Sequence, residues 1–226
     1  MATIAFDVYG TLIDTQGVVS ELRALAGDRA DVFAQTWREK QLEYTFRRGL
    51  MRLYETFAVC TQQALDYTCA HYELSFSSEQ KNQLLEAYKT LPAFDDVEDG
   101  LTMLHGKGHR LFAFSNGTES AVDTLLVNAG IRDFFDSVIS VDDLNTFKPN
   151  PDVYHHFLQQ SGAEPSESWL VSSNPFDVIG AASVGMLTAW VRRSEKAIFD
   201  PWGIEPTLTV ESLSELCEKI DGHQDY

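Results

Sequence analysis

Short apolar segments alternate with longer segments of helical spacing over most of this chain, and few folds accommodate that order. The apolar segments are bounded by polar and turn residues, as buried strands are. Helical segments of about ten residues between successive strands are typical of βαβ units, which form parallel sheets. We therefore predict an α/β fold with a Rossmann-like parallel sheet. The predicted strands are Thr3–Phe6, Arg110–Phe114, Ser137–Val141, Trp169–Val171, Leu187–Val191 and Thr207–Val210.

Residues 15–95 interrupt the alternation, because they show helical spacing and no credible strand. An all-helical segment directly after the first strand predicts an inserted cap subdomain that acts as a lid. We therefore divide the chain into a Rossmann-like core domain, residues 1–14 plus 96–226, and a helical cap subdomain, residues 15–95. The predicted cap helices are Val18–Ala26, Ala30–Arg48, Arg52–Tyr72 and Ser78–Thr90, and the core helices are Glu119–Ala129, Asp152–Ser161, Phe176–Val184 and Ser212–Ile220.

The chain of 226 residues carries 34 acidic and 17 basic residues, a formal net charge of −17. Nucleic acids and anionic membranes bind through positive fields, so we expect neither as a partner. No apolar run approaches the ~18 residues of a membrane span, and the start, MATIAFDVYG, lacks the basic region of a signal peptide. We therefore expect a cytoplasmic protein. The charge does not exclude a small anionic substrate, which needs only a local cluster of donors and whose approach the net charge would merely slow.

The three cysteines and six histidines show none of the spacings that bind metals. We expect the cysteines to be buried thiols in a reducing compartment. Neither a dinucleotide-binding glycine motif nor a P-loop occurs. The sequence therefore predicts no metal site and no nucleotide cofactor.

Four polar clusters follow predicted strands or lie between a strand and a helix: DVYGT at 7–11, SNG at 115–117, Lys148-Pro149 and SSNPFD at 172–177. In an open parallel sheet, ligands bind outside the carboxyl ends of the strands. Each cluster alone is more often a cap or a turn. Their joint presence predicts one site at this edge of the sheet.

In this order, the clusters resemble the motifs of the haloacid dehalogenase superfamily over nearly the whole chain. The DxYGT form, the segment WREKQLEYT at 37–45 and the SSNxxD pattern at 172–177 resemble one branch, the type II (S)-2-haloacid dehalogenases. The resemblance implies hydrolysis of short (S)-2-haloacids to (R)-2-hydroxy acids, with inversion at C2 and release of halide. It also implies that no cofactor is needed and that the protein is a homodimer formed through the helical insert.

Asp7 is the nucleophile that this resemblance implies. A carboxylate can displace a halide from carbon and form an ester on the enzyme, whose carbonyl water then attacks. Thr11 can hold the carboxylate by a hydrogen bond, and a tight turn at Gly10 exposes the amides of Val8 and Tyr9 to substrate oxygens.

Position 9 separates two chemistries. The phosphatases of the superfamily carry a second Asp two residues after the nucleophile, which protonates the leaving alcohol and helps to bind magnesium. This chain has Tyr9 there, and a departing halide needs no proton. Tyr9 therefore favours cleavage of a carbon–halogen bond.

The resemblance maps Arg38 onto the halide-accepting arginine of the family, because an anion that leaves into a dry pocket needs a positive partner. The side-chain amide of Asn116 and the ring edge of Phe176 would complete the halide site. Glu39 adds a negative charge beside Arg38 unless it faces away. The predicted apolar wall around the substrate is Tyr9, Leu42, Phe57 and Phe176.

Lys148 is expected between Asp7 and Asp177, where it keeps both carboxylates ionised and lowers their pKa values. Tyr154 is expected to hydrogen-bond toward Asp7 or Lys148. Ser115, with amides at a helix N-terminus, is expected to bind the substrate carboxylate.

The hydrolytic water is expected at Ser172, Asn174 and Asp177. Asp177 is the predicted base, since serine and asparagine cannot take a proton at neutral pH.

Two other functions stay open. One is a magnesium-dependent phosphatase of the same superfamily, although a site built from Asp7 and Asp177 would lack one customary ligand. The other is a non-catalytic interaction protein that uses the acidic surface. Against the second, a binding module has no reason to keep Asp7, Arg38, Lys148 and Asp177 together.

Overall fold

Six parallel strands form one sheet at the centre of the molecule. The computed structural model describes residues 1–224, with side chains described up to residue 222. The strands are β1 (Thr3–Asp7), β2 (Arg110–Ser115), β3 (Ser137–Ser140), β4 (Ser168–Ser172), β5 (Leu187–Val191) and β6 (Leu208–Val210). Their order is β3-β2-β1-β4-β5-β6, and neighbouring strands are parallel throughout. The predicted α/β, Rossmann-like fold is confirmed.

Strand β1 lies between β2 and β4, and all five of its residues are buried. Ile4 and Phe6 pack into the apolar core on one face of the sheet, and Ala5 packs into the core on the other. A strand covered on both faces has to be apolar throughout, which explains why these segments do not alternate polar and apolar residues. Because β1 and β2 are parallel neighbours, Asp7 at the end of β1 and Ser115 at the end of β2 lie at the same edge of the sheet.

Helices cover both faces of the sheet and fill the segment between β1 and β2. Within residues 1–224 the α-helices are α1 (Val19–Ala26), α2 (Ala30–Met51), α3 (Phe57–His71), α4 (Ser78–Ala87), α5 (Val97–Gly106), α6 (Glu119–Asn128), α7 (Pro151–Ser161), α8 (Pro175–Ser183) and α9 (Leu213–Gln224). In this part of the chain, no helix combines the length and apolar character that crossing a membrane requires.

One predicted helix begins elsewhere in the structure, and one helix of the structure has no predicted counterpart. Helix α3 begins at Phe57, five residues later than predicted, because Arg52 takes a left-handed conformation (φ 56°) that ends α2 and Thr56 caps α3. Helix α5 was not predicted, because Gly100 weakens the helical pattern of its segment. That glycine allows a close approach, since an added Cβ would lie 2.3 Å from Cβ of Leu213 at the start of α9.

Helices α1 to α4 form the helical insert between β1 and β2. Phe33 and Trp37 of α2 are fully buried, and Trp37 Nε1 donates a hydrogen bond to the carbonyl of Thr61 on α3 (2.8 Å). The chain returns to the sheet at Phe94, whose N–H donates to the carbonyl of Leu12 (3.0 Å). The division into residues 15–95 and the remaining core stays a prediction.

Candidate active site

The carboxylate of Asp7, at the carboxyl end of β1, accepts four hydrogen bonds. Its Oδ2 accepts from Thr11 Oγ1 (3.0 Å), Ser172 Oγ (3.0 Å) and Asn174 Nδ2 (2.7 Å), and its Oδ1 accepts from Lys148 Nζ (3.1 Å). A carboxylate oxygen with three donors has no lone pair left for reaction, whereas one with a single donor does. Oδ1 is therefore the oxygen of Asp7 that can act as a nucleophile.

A tight turn follows Asp7 and is tied to the loop after β4. Gly10 has a φ of +85°, which favours glycine, and the carbonyl of Val8 accepts from the N–H of Leu12 (3.0 Å). Ser173 donates from Oγ to the carbonyl of Gly10 (2.7 Å), and its N–H donates to Thr11 Oγ1 (2.9 Å). Ser173 belongs to the SSNPFD cluster, for which the sequence predicts a place at the site but no separate role for this residue.

The ammonium group of Lys148 is fully buried and uses all three of its protons. Nζ donates to Asp7 Oδ1 (3.1 Å), Asp177 Oδ2 (2.9 Å) and the carbonyl of Phe114 (2.9 Å). Burial lowers the pKa of Lys148, but the charges and hydrogen bonds of Asp177 and Asp7 outweigh burial and raise it above its ordinary value. Lys148 therefore stays charged and joins the two carboxylates, as the sequence predicts.

The two carboxylates differ in acidity. Burial and, to a smaller extent, the negative charge of Asp7 raise the pKa of Asp177 to about 6, and Lys148 offsets them only in part. Burial also raises the pKa of Asp7, but Lys148, Arg38 and the hydrogen bond from Asn174 together bring it below its usual value. The predicted lowering of both pKa values is therefore right for Asp7 and wrong for Asp177, where burial outweighs the charge of Lys148. At neutral pH Asp7 is ionised, and Asp177 takes up a proton more readily.

Tyr154 contacts neither of the partners predicted for it. Its hydroxyl donates to Asp177 Oδ1 (2.8 Å) and to the carbonyl of the same residue (3.1 Å), because α7 and α8 pack side by side. Asp177 itself is fully buried behind Lys148 and does not line the pocket in front of Asp7. Asp177 Oδ2 accepts a hydrogen bond from Lys148, which does line that pocket.

Arg38 reaches the site from α2 of the helical insert. Its guanidinium donates to the carbonyl of Tyr9 (3.1 Å) and to Gln41 Oε1 (2.6 Å), and Gln41 Nε2 donates to Thr61 Oγ1 (2.5 Å) on α3. This series of hydrogen bonds fixes the position of Arg38 over the turn after Asp7. Glu39 is exposed and accepts from Gln35 Nε2 on the outer face of α2, so its charge faces away.

A closed pocket lies in front of Asp7, with a cavity volume of about 10 Å³, which is close to the space that one water molecule needs. The rings of Tyr9 and Phe57 contact each other, with centroids 5.2 Å apart, and burial raises the pKa of Tyr9 to about 12. Its phenol is therefore neutral. The lining residues are Asp7, Tyr9, Arg38, Leu42, Phe57, Ser115, Asn116, Lys148, Asn174 and Phe176.

Most of the predicted site residues lie on this pocket or hydrogen-bond to Asp7. Ser115 Oγ accepts from the N–H of Gly117 (3.1 Å), so its own proton can point to a ligand. Asn116 Oδ1 accepts from the N–H of Lys148 (2.9 Å), which orients its amide. The side chain of Val8 is buried away from the pocket wall, and the contact predicted for its amide stays a prediction.

The donor set does not fit a magnesium ion. The position between Asp7 and Asp177 is taken by the Lys148 ammonium, and the hydroxyl of Tyr154 holds the remaining oxygen of Asp177. Magnesium binds oxygen ligands and keeps waters, neither of which a buried ammonium provides. Among the described residues, no group of three or more His, Cys, Asp or Glu side chains is arranged to hold a metal.

Known proteins resemble this chain over nearly its whole length. An (S)-2-haloacid dehalogenase from Pseudomonas sp. (strain YL) is 38% identical over 218 residues, which cover 96% of this chain and 94% of the relative. Haloacetate dehalogenase H-2 from Moraxella sp. (strain B) is 35% identical over 217 residues and 96% of each chain.

A solved structure of L-2-haloacid dehalogenase from Xanthobacter autotrophicus, with chloropropionic acid covalently bound, has a TM-score of 0.90 to this protein. The two are 32% identical, and the match covers 98% of this chain and 99% of that chain. Residues 1–185 match the haloacid dehalogenase-like hydrolases. Together with the strand-end clusters around Asp7, this match means that the chain belongs to the haloacid dehalogenase-like hydrolase family.

Proposed function

We propose that this protein is a hydrolase that cleaves the carbon–halogen bond of short (S)-2-haloacids and yields (R)-2-hydroxy acids. The observation that carries the proposal is the Asp7 carboxylate, ionised and with one oxygen held by three donors while the other remains reactive. The dehalogenase relatives support the same reaction. The covalently bound chloropropionic acid in the Xanthobacter autotrophicus structure supports a route through an enzyme ester.

In the first step, Asp7 Oδ1 attacks C2 of the substrate from the side opposite the halogen. The new C–O bond forms as the carbon–halogen bond breaks, and the halide leaves with the bonding electrons, so C2 is inverted. Arg38, Asn116 and Phe176 line the pocket and provide the positive charge, amide and ring edge that accept the halide. Ser115 binds the substrate carboxylate.

In the second step, water attacks the carbonyl carbon of the Asp7 ester. The hydroxyl oxygen of the product therefore comes from Asp7, and the water oxygen stays in the regenerated carboxylate. Ser172 and Asn174 hold Oδ2 and orient the ester. Lys148 gives a proton from Nζ to Asp177, whose pKa lies near 6, and the Nζ lone pair freed in this way takes the proton of the attacking water.

A magnesium-dependent phosphatase is the less favoured candidate. Tyr9 leaves no acid to protonate an alcohol, and Lys148 takes the place where a cation would bind. We also infer that the reaction needs no cofactor. The dehalogenase activity should therefore survive prolonged treatment with a chelator.

The helical insert supplies Arg38, Leu42 and Phe57, and the core supplies the rest of the pocket. We propose that residues 15–95 act as a cap over the core. The cavity is too small for a three-carbon acid, which supports a cap that opens to admit substrate.

We also infer that the protein is a cytoplasmic homodimer. The buried free thiols of Cys60, Cys69 and Cys217 suit a reducing compartment. Met51 and Leu53, at the end of α2, are 57% and 60% exposed and offer apolar surface on the insert for a second copy. Sedimentation at several concentrations tests the dimer.

Isotope labelling tests the reaction. We expect a single turnover of (S)-2-chloropropionate in heavy-oxygen water, with enzyme in excess, to put the label into the peptide that contains Asp7. The lactate should be unlabelled and have the R configuration. Label in lactate and none in the peptide would mean that water attacks C2 directly, and the proposal would be wrong.

A further inference from the structure

A pair of aromatic rings separates the reaction pocket from a second cavity. Phe176 lines both cavities, whereas Phe46 of α2 lines only the second. Their ring centroids lie 5.0 Å apart with planes at 76°, the edge-to-face packing of a stable aromatic pair. Lys148 is the other residue common to both walls. The two cavities therefore adjoin each other at Phe176 and Lys148, and Phe46 packs against Phe176 on the side of the second cavity.

The second cavity is an open apolar groove between α2, the loop before α7 and the segment after β5. Its volume is about 680 Å³, against about 10 Å³ for the reaction pocket. Phe147 forms part of its wall, and Leu50 and Trp202, which are 86% and 71% exposed, lie along it. Such a surface removes alkyl carbons from water and offers little to polar groups.

The reaction pocket gives a longer substrate few directions in which to extend. Tyr9, Leu42 and Phe57 close one side, and the buried pair of Asp7 and Lys148 closes the base. The side toward Phe176 is the one behind which a large apolar space exists. Chain atoms beyond C3 of a 2-haloacid would therefore meet the Phe46–Phe176 pair before they reach the groove.

We propose that the Phe46–Phe176 pair sets the upper limit of substrate chain length, because it closes the reaction pocket off from a groove that fits the alkyl tail of longer 2-haloalkanoic acids. The proposal rests on the dehalogenase function and deepens it, since it names the residue that determines specificity. Phe46 acts here without touching Asp7 or the halide, and only the size of its side chain matters.

The test compares kcat/KM for (S)-2-bromopropionate with kcat/KM for (S)-2-bromohexanoate. In Phe46→Ala, we expect the ratio of the six-carbon to the three-carbon acid to rise by about tenfold or more, the range that methylene groups give in apolar pockets. The three-carbon acid should keep its kcat/KM within a few-fold. Phe46→Tyr retains the ring and should behave as the parent.

A second substitution tests the route of the tail. Gly49 lines the groove, and a Cβ there meets no atom closer than 3.5 Å. Gly49→Leu in the Phe46→Ala background fills the groove and should return the ratio to the parental value. A crystal of Phe46→Ala soaked with the six-carbon acid should show the tail of the Asp7 ester in the groove.

The proposal is wrong if folded Phe46→Ala keeps the parental ratio, or if Gly49→Leu leaves the gain intact. If Phe46→Ala fails to fold, Phe46→Leu decides by the same ratio. If the parent protein does not dehalogenate the three-carbon acid at all, the proposed function fails. A parent that is active while the ratio is insensitive to Phe46 rejects this inference alone.

Discussion

At the residue scale, Lys148 donates hydrogen bonds to two carboxylates that differ in their number of other donors. Asp7 has three further donors, whereas Asp177 has one further side-chain donor, Tyr154. Burial raises the pKa of both, but Lys148, Arg38 and the hydrogen bond from Asn174 bring the pKa of Asp7 below its usual value, whereas the charge of Asp7 helps to raise that of Asp177 to about 6. Two acids pushed apart in this way can divide the roles of nucleophile and proton acceptor.

Replacement of Asp177 by asparagine removes the proton acceptor and keeps the shape of the side chain. We expect ester formation to continue in Asp177→Asn and ester hydrolysis to slow by about 10²- to 10⁴-fold. The denatured enzyme should then carry the acyl adduct on the Asp7 peptide, which mass spectrometry detects. Asp7→Asn cannot form the adduct and is the control. Loss of activity without any adduct would contradict this role.

The pH profile offers an independent test. Protonation of Asp177 should slow ester hydrolysis, and therefore lower kcat, as the pH falls through about 6. The hydrogen bond from Tyr154 lowers the pKa of Asp177, so Tyr154→Phe should move the acid limb of the profile to higher pH. A limb that stays in place in the folded variant would exclude Asp177 as the titrating group.

The strand-end residues could be predicted from the sequence, because each follows an apolar run directly. Arg38 could not be distinguished from a solvated helix arginine by its spacing, and only the family resemblance pointed to it. The partner of Tyr154 depends on how α7 packs against α8, and no local pattern encodes that. Arg193, which donates to the carbonyl of Thr11 from 182 residues away, left no signal at all.

At the element scale, the contact between α5 and α9 depends on one missing methyl group. A Cβ at Gly100 would lie 2.3 Å from Cβ and 2.9 Å from the carbonyl carbon of Leu213. We expect Gly100→Ala to lower the free energy of unfolding by about 1–3 kcal/mol, since the two helices would have to move apart. Urea denaturation measures this change.

Gly106 provides the matched control in the same helix. Nothing lies within 4 Å of a Cβ at Gly106, and its φ is not left-handed. We expect Gly106→Ala to leave the free energy of unfolding unchanged or to raise it by up to about 1 kcal/mol. Equal effects of the two substitutions would contradict a packing role for Gly100.

Some elements could be predicted from the sequence and others could not, for reasons that differ from element to element. Strands β1, β2 and β5 could be predicted closely, because buried parallel strands are apolar throughout. Helix α5 could not, because a residue selected for close approach is a poor helix former. The late start of α3 depends on the left-handed Arg52, a conformation that arginine rarely adopts.

At the scale of the whole molecule, the net charge of −17 opposes the approach of an anionic substrate. Salt screens such repulsion, so we expect KM for (S)-2-chloropropionate to fall as sodium sulfate raises the ionic strength from about 10 to about 150 mM. The value of kcat should change little, because the closed pocket is shielded from solvent ions. A KM that rises with salt would contradict this prediction, since it would mean that attraction by the positive side chains near the pocket outweighs repulsion by the net negative charge.

The pocket itself is a property of the whole molecule. Its members could be predicted, since the motif order places them at one sheet edge, but its size could not. Leu42 and Phe57 come from the helical insert, and their distance from Asn174 depends on how the insert packs against the sheet. For the same reason, the groove behind Phe176 could not be predicted from the sequence.

The tightness of this pocket has a consequence for throughput. A chamber with space for one water cannot exchange a haloacid for a hydroxy acid and an ion while it stays shut. With the cap that we propose, each catalytic cycle contains an opening that admits substrate and an opening that releases products, on either side of the two chemical steps. The frequency of those movements is a ceiling on the enzyme's speed that no increase in the reactivity of the carboxylate can lift.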